Sequence, residues 1–188
     1  MSFSVFKANM FSYMNNQPSI SSYEDWAAKF TTEYDLCIKR GKQTTNNIPI
    51  SQPKKSDMES AVINVCKKHL SYQEGPRNFV DDLGNASIKY WTGAKLVVGI
   101  PPPIPAIGAI VNVTSTAAYV TNPGTWSPTG PDNPTENIMD FLDKFIGGAK
   151  QHITTVQGQY DTISNYPGFP LVPPSPGIRP WKGWTVPG

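Results

Sequence analysis

SSYEDWAAKFTTEYDLCIKRG, residues 21 to 41, carries every signal of an amphipathic helix in one run. Ser21 and Glu24 form an S-x-x-E capping box, which predicts a helix from Ser22 to Arg40. Tyr23, Trp26, Ala27, Phe30, Tyr34, Cys37 and Ile38 recur at three- and four-residue steps and make one apolar stripe. Lys39 and Arg40 suit the negative end of the helix dipole, and Gly41 is placed to close the helix in the left-handed conformation. A stripe this wide must be buried against other elements, so the flanks decide the architecture.

Towards the N-terminus, Phe6, Met10, Tyr13 and Met14 predict a helix over Ser4–Asn15 that stops before Pro18. On the other side, residues 42 to 55 read as a polar linker. A third helix is predicted from Ser56, again with a capping box to Glu59, and its stripe is Met58, Ala61, Val62, Val65, Cys66 and Leu70. A fourth spans about Asn78–Thr92 on Phe79, Leu83, Ala86 or Ser87, Tyr90 and Trp91, with Gly84 weakening it by ~1 kcal/mol. The last is predicted from an Asn133 cap and Pro134 to about Ser164, on a stripe running from Ile138 through Phe141, Phe145, Ala149, Ile153 and Tyr160 to Ile163. Continuous, it would be ~45 Å long. The expected class is mainly α: a small bundle of about five helices, with the parts 1–92, 93–132, 133–164 and 165–188.

The second and fourth of these parts differ in kind from the helices. Residues 93 to 131 hold one charge, Lys95, and the run Pro101, Pro102, Pro103, Ile104, Pro105 favours an extended polyproline conformation. Residues 106–120 read equally as strand or helix. Residues 165 to 188 contain seven of the 19 prolines, and no alternation there supports a paired strand. The same stretch carries Tyr166, Phe169, Leu171, Trp181 and Trp184, too apolar for a solvated tail. Charged residues are 16% of the chain, against ~25% in ordinary soluble domains. Sparse charge beside so much proline and aromatic surface excludes a coiled coil or a collagen, and argues for neighbours that replace water.

Chemistry is weakly marked. A net charge of +2 with no basic run longer than a pair argues against direct nucleic-acid binding. No apolar run spans a bilayer, because prolines interrupt the best window, Ala94–Val113. Cys37 and Cys66 read as two buried thiols or, alternatively, as one helix–helix disulfide. Cys66 and His69 have the spacing of two zinc ligands, with Cys37 and His152 as further donors, but the core positions of the cysteines outweigh that reading. No G-x-S-x-G, P-loop or H-E-x-x-H motif occurs, and the adjacent acids Asp81 and Asp82 point apart on a helix. No catalytic residue, cofactor, metal or small-molecule substrate is expected.

The segments EDWAAKFTTEYDLCIKRG, YWTGAKLVVGIPPPIPAIGAIVNV and QHITTVQGQYDTISNYPGFP resemble minor structural proteins of contractile-tailed bacteriophage virions. The resemblance covers about half the chain. It implies a non-enzymatic, multi-copy virion subunit of the tail or baseplate, made in the host cytoplasm, whose partners are other virion proteins and copies of itself. A neck (head–tail connector) ring protein is the nearest alternative. A proline-motif binding module and an unmarked lytic enzyme are alternatives of other classes. The residues expected to touch partners are Pro101, Pro102, Pro103, Ile104, Pro105, Tyr166, Phe169, Leu171, Trp181 and Trp184.

Overall fold

The computed structural model describes residues 2–16, 22–44, 50, 52–72, 76–96, 111–113, 134–161 and 178–187. Among them are five helices: α1 (Phe3–Asn15), α2 (Tyr23–Lys39), α3 (Lys55–Tyr72), α4 (Pro76–Trp91) and α5 (Pro134–Thr155). Short strands lie between and after them: β1 (Lys42–Gln43), β2 (Lys95–Leu96), β3 (Val111–Val113), β4 (Gln157–Asp161), β5 (Ile178–Lys182) and β6 (Trp184–Thr185). The protein is mainly helical, as the periodicity predicts.

α2 is the central helix. It packs against α1 and α3, while α4 joins α3 to α5 and α5 returns to α1. Its predicted stripe is the middle of an aromatic core. Trp26 stacks on Phe30 at 5.0 Å, and Phe30 meets Phe145 of α5 edge-on at 4.8 Å and Phe6 of α1 at 5.6 Å. Burying each such phenylalanine ring is worth roughly 1.5–3 kcal/mol, far more than the tenths of a kcal/mol by which helix propensities differ. The core therefore decides which helices form, and propensity adjusts their ends.

Because α2 is surrounded, its charged side is buried too. Glu33 is 4% and Asp35 6% exposed. A buried carboxylate is tolerated only when partnered. Glu33 accepts from Asn9 Nδ2 of α1 and from Lys29 Nζ, each at 2.7 Å. Asp35 accepts from Lys39 Nζ and from the Tyr90 hydroxyl of α4, each at 2.8 Å.

Several helix ends differ from the expectation. The α2 cap is Ser22, not Ser21: its hydroxyl accepts from Asp25 N at 3.0 Å. Ser56 is already inside α3, and the Lys54 carbonyl accepts from Met58 N at 3.1 Å. Lys54 N in turn donates to the Tyr90 carbonyl at 3.0 Å, so a tertiary bond to the end of α4 sets the start of α3. Gly41 is not left-handed. Gly93, at φ 78°, takes that conformation where α4 turns into β2. α5 stops at Thr155, nine residues short of Ser164. Thr154 and Thr155 turn their hydroxyls back onto the Gln151 and His152 carbonyls, each at 2.7 Å, and satisfy the last turn. Tyr160, expected on the helix stripe, lies in β4.

The C-terminal part also differs from the expected unpaired arm. β5 and β6 are paired antiparallel strands, β5 to β4 and β6 to β1. β2, β3, β4 and β5 form a four-stranded antiparallel sheet in that order. Pro180 sits inside β5, which is an edge strand, where a missing N–H can face away from the ladder. Within the ambiguous 106–120 stretch, Val111–Val113 is strand.

Candidate functional site

Trp184, expected as an anchor on an adjacent chain, is instead seated in the core of its own. It is 1% exposed. Its indole N–H donates to the Ile38 carbonyl at 3.2 Å, and its ring meets Trp91 edge-on at 5.4 Å. That carbonyl, in the last turn of α2, also accepts from Gly41 N at 2.8 Å, so the indole bonds to an acceptor that closes the helix end. Gly41 forms the floor of the seat. A Cβ there would collide with Trp184 Nε1 and the Thr185 carbonyl, so close approach, not a left-handed turn, is what requires glycine. Gly183, at φ 90°, makes the bend from β5 into β6, donating to the Val156 carbonyl at 2.8 Å and accepting from Thr44 N at 3.1 Å.

A chain of directed bonds continues inward from this seat. Trp91 Nε1 donates to the Tyr34 hydroxyl at 3.1 Å, and Tyr34 and Tyr90 meet edge-on at 5.2 Å. Burial pushes the Tyr34 hydroxyl's pKa up. Burial, then the Asp35 charge beside it, does the same to Tyr90, so both stay protonated, Tyr90 donating to Asp35.

The other expected partner residues fall outside the described residues, or partly so. Pro101, Pro102, Pro103, Ile104 and Pro105 belong to residues 97–110, and Tyr166, Phe169 and Leu171 to 162–177. Trp181 lies in β5, opposite Gly158 of β4. The register of the sheet nonetheless relates the two segments. Leu96 pairs with Val111, Val111 with Tyr160, and Tyr160 with Arg179. The strands alternate in direction, so β2 and β4 run the same way. Residues 97–110 leave β2, and residues 162–177 leave β4, from the same end of the sheet. Neither segment contains a charged residue, and together they hold nine prolines, at 101, 102, 103, 105, 167, 170, 173, 174 and 176.

A groove of about 430 Å³ lies between α1, α5 and the strand-end residues Val186 and Pro187. Phe3, Ile146, Ile153 and Val186 give it an apolar lining, and Lys150 stands exposed at its rim. Lys7 of α1 crosses it to Asp143 of α5 at 2.6 Å.

The thiols, imidazoles and paired acids are chemically quiet. Cys37 and Cys66 are free, buried thiols. Burial pushes them up to about 12 and about 11, so neither is a thiolate at neutral pH. One turn after Cys66, His69 Nε2 lies 2.9 Å from Asp82 Oδ2, which also accepts from Lys68 at 3.0 Å. Burial would raise Asp82, but the bonds from His69 and Lys68 outweigh it and hold the carboxyl below its ordinary value. Burial, then the charge of Asp82, raises the neighbouring Asp81. Burial lowers His152 to about 4 and keeps its imidazole neutral. Among the described residues no three His, Cys, Asp or Glu side chains converge to hold a metal, and no helix is long and apolar enough to cross a membrane.

No family model, curated protein or solved structure matches the chain. Function has to be argued from the residues themselves. Sequence reasoning missed the buried carboxylates of α2, although the signal was present: Lys29 and Lys39 stand four residues from Glu33 and Asp35.

Proposed function

We propose that this chain is a non-enzymatic structural subunit of a contractile-tailed phage virion, present in several copies in the tail or baseplate. Its body is the helical core, and its contacts to neighbours are the segments 97–110 and 162–177. The observation that carries the reading is the common origin of these two uncharged, proline-rich segments at one end of one sheet. Proline restricts a segment before it binds, so docking costs less entropy than for a flexible chain. Large apolar side chains such as Tyr166, Phe169 and Leu171 then supply the affinity. Two uncharged, proline-rich segments of this composition are poorly matched to open water. The phage assignment itself comes from the resemblance of the three sequence segments.

The test is a full-length chain lacking residues 164–175, alongside the intact chain, in infected cells. Particles purified on a density gradient should contain the intact protein by mass spectrometry and lack the shortened one, while the two have the same helicity by circular dichroism. Cross-linking in intact particles then names the neighbour, tail or neck. Absence of the intact chain from particles sinks the reading.

A further inference from the structure

The element that seals the core comes from the far end of the chain, and nothing about its seat requires it to come from the same molecule. The seat consists of the Ile38 carbonyl, Gly41, β1, Thr44 N and the edge of Trp91. The occupant is β5–β6, with Trp184 as its plug. We propose that β5–β6 is exchanged between copies: in the assembled state, the Trp184 seat of one chain is filled by the Trp184 of a second copy. This deepens the structural-subunit reading and rests on it only for its setting.

Two observations carry the proposal. First, Asp161 and Ile178 are register neighbours in adjacent strands, yet 16 residues, 162–177, join them. Hairpins close with about two to five residues. An extended connection of that length reaches ~50 Å at ~3.1 Å per residue. A chain of this size has a radius of gyration of roughly 16 Å, so the plug can reach a neighbour's seat. Second, the seat is specific for this plug. It offers a carbonyl to the indole N–H, a glycine floor where a Cβ would collide, and two backbone bonds at Gly183. Exchange rebuilds every one of these contacts in the partner, so it alters only the path of the connection. The correction that puts Trp184 in a core and the expectation that the arm binds an adjacent chain are then both met.

The experiment uses the purified full chain carrying Lys42→Cys and Thr185→Cys. These two positions are exposed register partners in β1 and β6, within disulfide reach. Isotopically light and heavy copies are mixed, incubated over a range of concentrations, oxidised and digested. Exchange predicts light–heavy linked peptides, and a covalent dimer-to-monomer ratio that rises about tenfold for each tenfold in concentration while monomer predominates. Linked peptides confined to one isotope in monomers, at every concentration, overturn the proposal. A second measurement needs no cross-link. Trp184→Ala keeps the seat and loses the plug, whereas Gly41→Val keeps the plug and loses the seat. Exchange predicts that the equimolar mixture forms dimers more stable to heat than either variant alone. A mixture that melts as the sum of its parts overturns exchange. Both experiments use isolated protein, so their failure leaves the virion reading standing. Absence of the chain from particles overturns that reading alone.

Discussion

The seam where α2, α4 and β6 meet and the seam between α1 and α5 are held in opposite ways. The first is dry. Its polar groups are buried and paired: Trp184 with the Ile38 carbonyl, Trp91 with Tyr34, and Tyr90 with Asp35. The second is wet. A polar tie across it is Lys7 to Asp143, with Asp143 57% exposed, and a groove stays open beside it. Buried hydrogen bonds are costly to leave unmade and so define one arrangement. An exposed ion pair contributes little, so α1 is held to α5 by packing, such as Phe6 against Phe145 at 5.9 Å, and not by directed bonds. The difference teaches where this molecule is specified and where it is merely closed.

The largest way to break that contrast is Trp184→Ala. It removes a buried aromatic side chain and leaves a cavity, at a cost of about 3–5 kcal/mol. The thermal midpoint followed by circular dichroism should fall by on the order of 10 °C, while the helical signal at low temperature remains. An unchanged midpoint would mean that β6 seals nothing.

Acid should act on the folded core through His152, buried in the last turn of α5. Its ordinary value is 6.5, and burial lowers it in the folded protein to about 4. Between those values the unfolded chain takes up a proton that the folded chain refuses. Stability therefore falls as pH drops from about 6.5 to about 4, by about 3 kcal/mol in all, with no contribution from this group above that window. Urea midpoints across pH 4 to 7 measure the slope, and His152→Gln should flatten it. A slope unaffected by that substitution would assign the acid response to other groups.

The smallest effect belongs to the wet seam. Lys7→Ala removes a partly exposed ion pair and should change stability by less than ~1 kcal/mol. Salt should shrink that difference further. A loss comparable to that of Trp184→Ala would erase the distinction between the two seams.

The helices were legible because their signals are local. The stripe of Trp26, Phe30, Tyr34, Cys37 and Ile38 became core as read, as did Phe6 and Met10, Met58 and Val62, Leu83 and Tyr90, and Phe141 and Phe145. Helix ends were legible to within a residue or two where side chains set them, and not where distant backbone did. α3 begins where Lys54 meets the Tyr90 carbonyl. α5 ends where its continuation becomes β4 and pairs on both sides. The candidate partner residues were legible by composition, since proline runs and isolated aromatics need no fold to be noticed. That Trp184 differs from its neighbours in kind was not, because its seat lies 146 residues away.

By itself, then, the sequence determined the five amphipathic helices, the core faces they present and the two uncharged proline-rich segments. Those properties depend on neighbours three or four residues apart, or on composition. Only the tertiary structure decided that Gly41 serves close approach, that the two segments leave one end of a sheet, and that Trp184 completes the core instead of lying free. Each of these depends on two stretches that no local propensity connects. They meet only because burying a tryptophan with its indole N–H bonded outweighs the entropy of closing the chain upon itself.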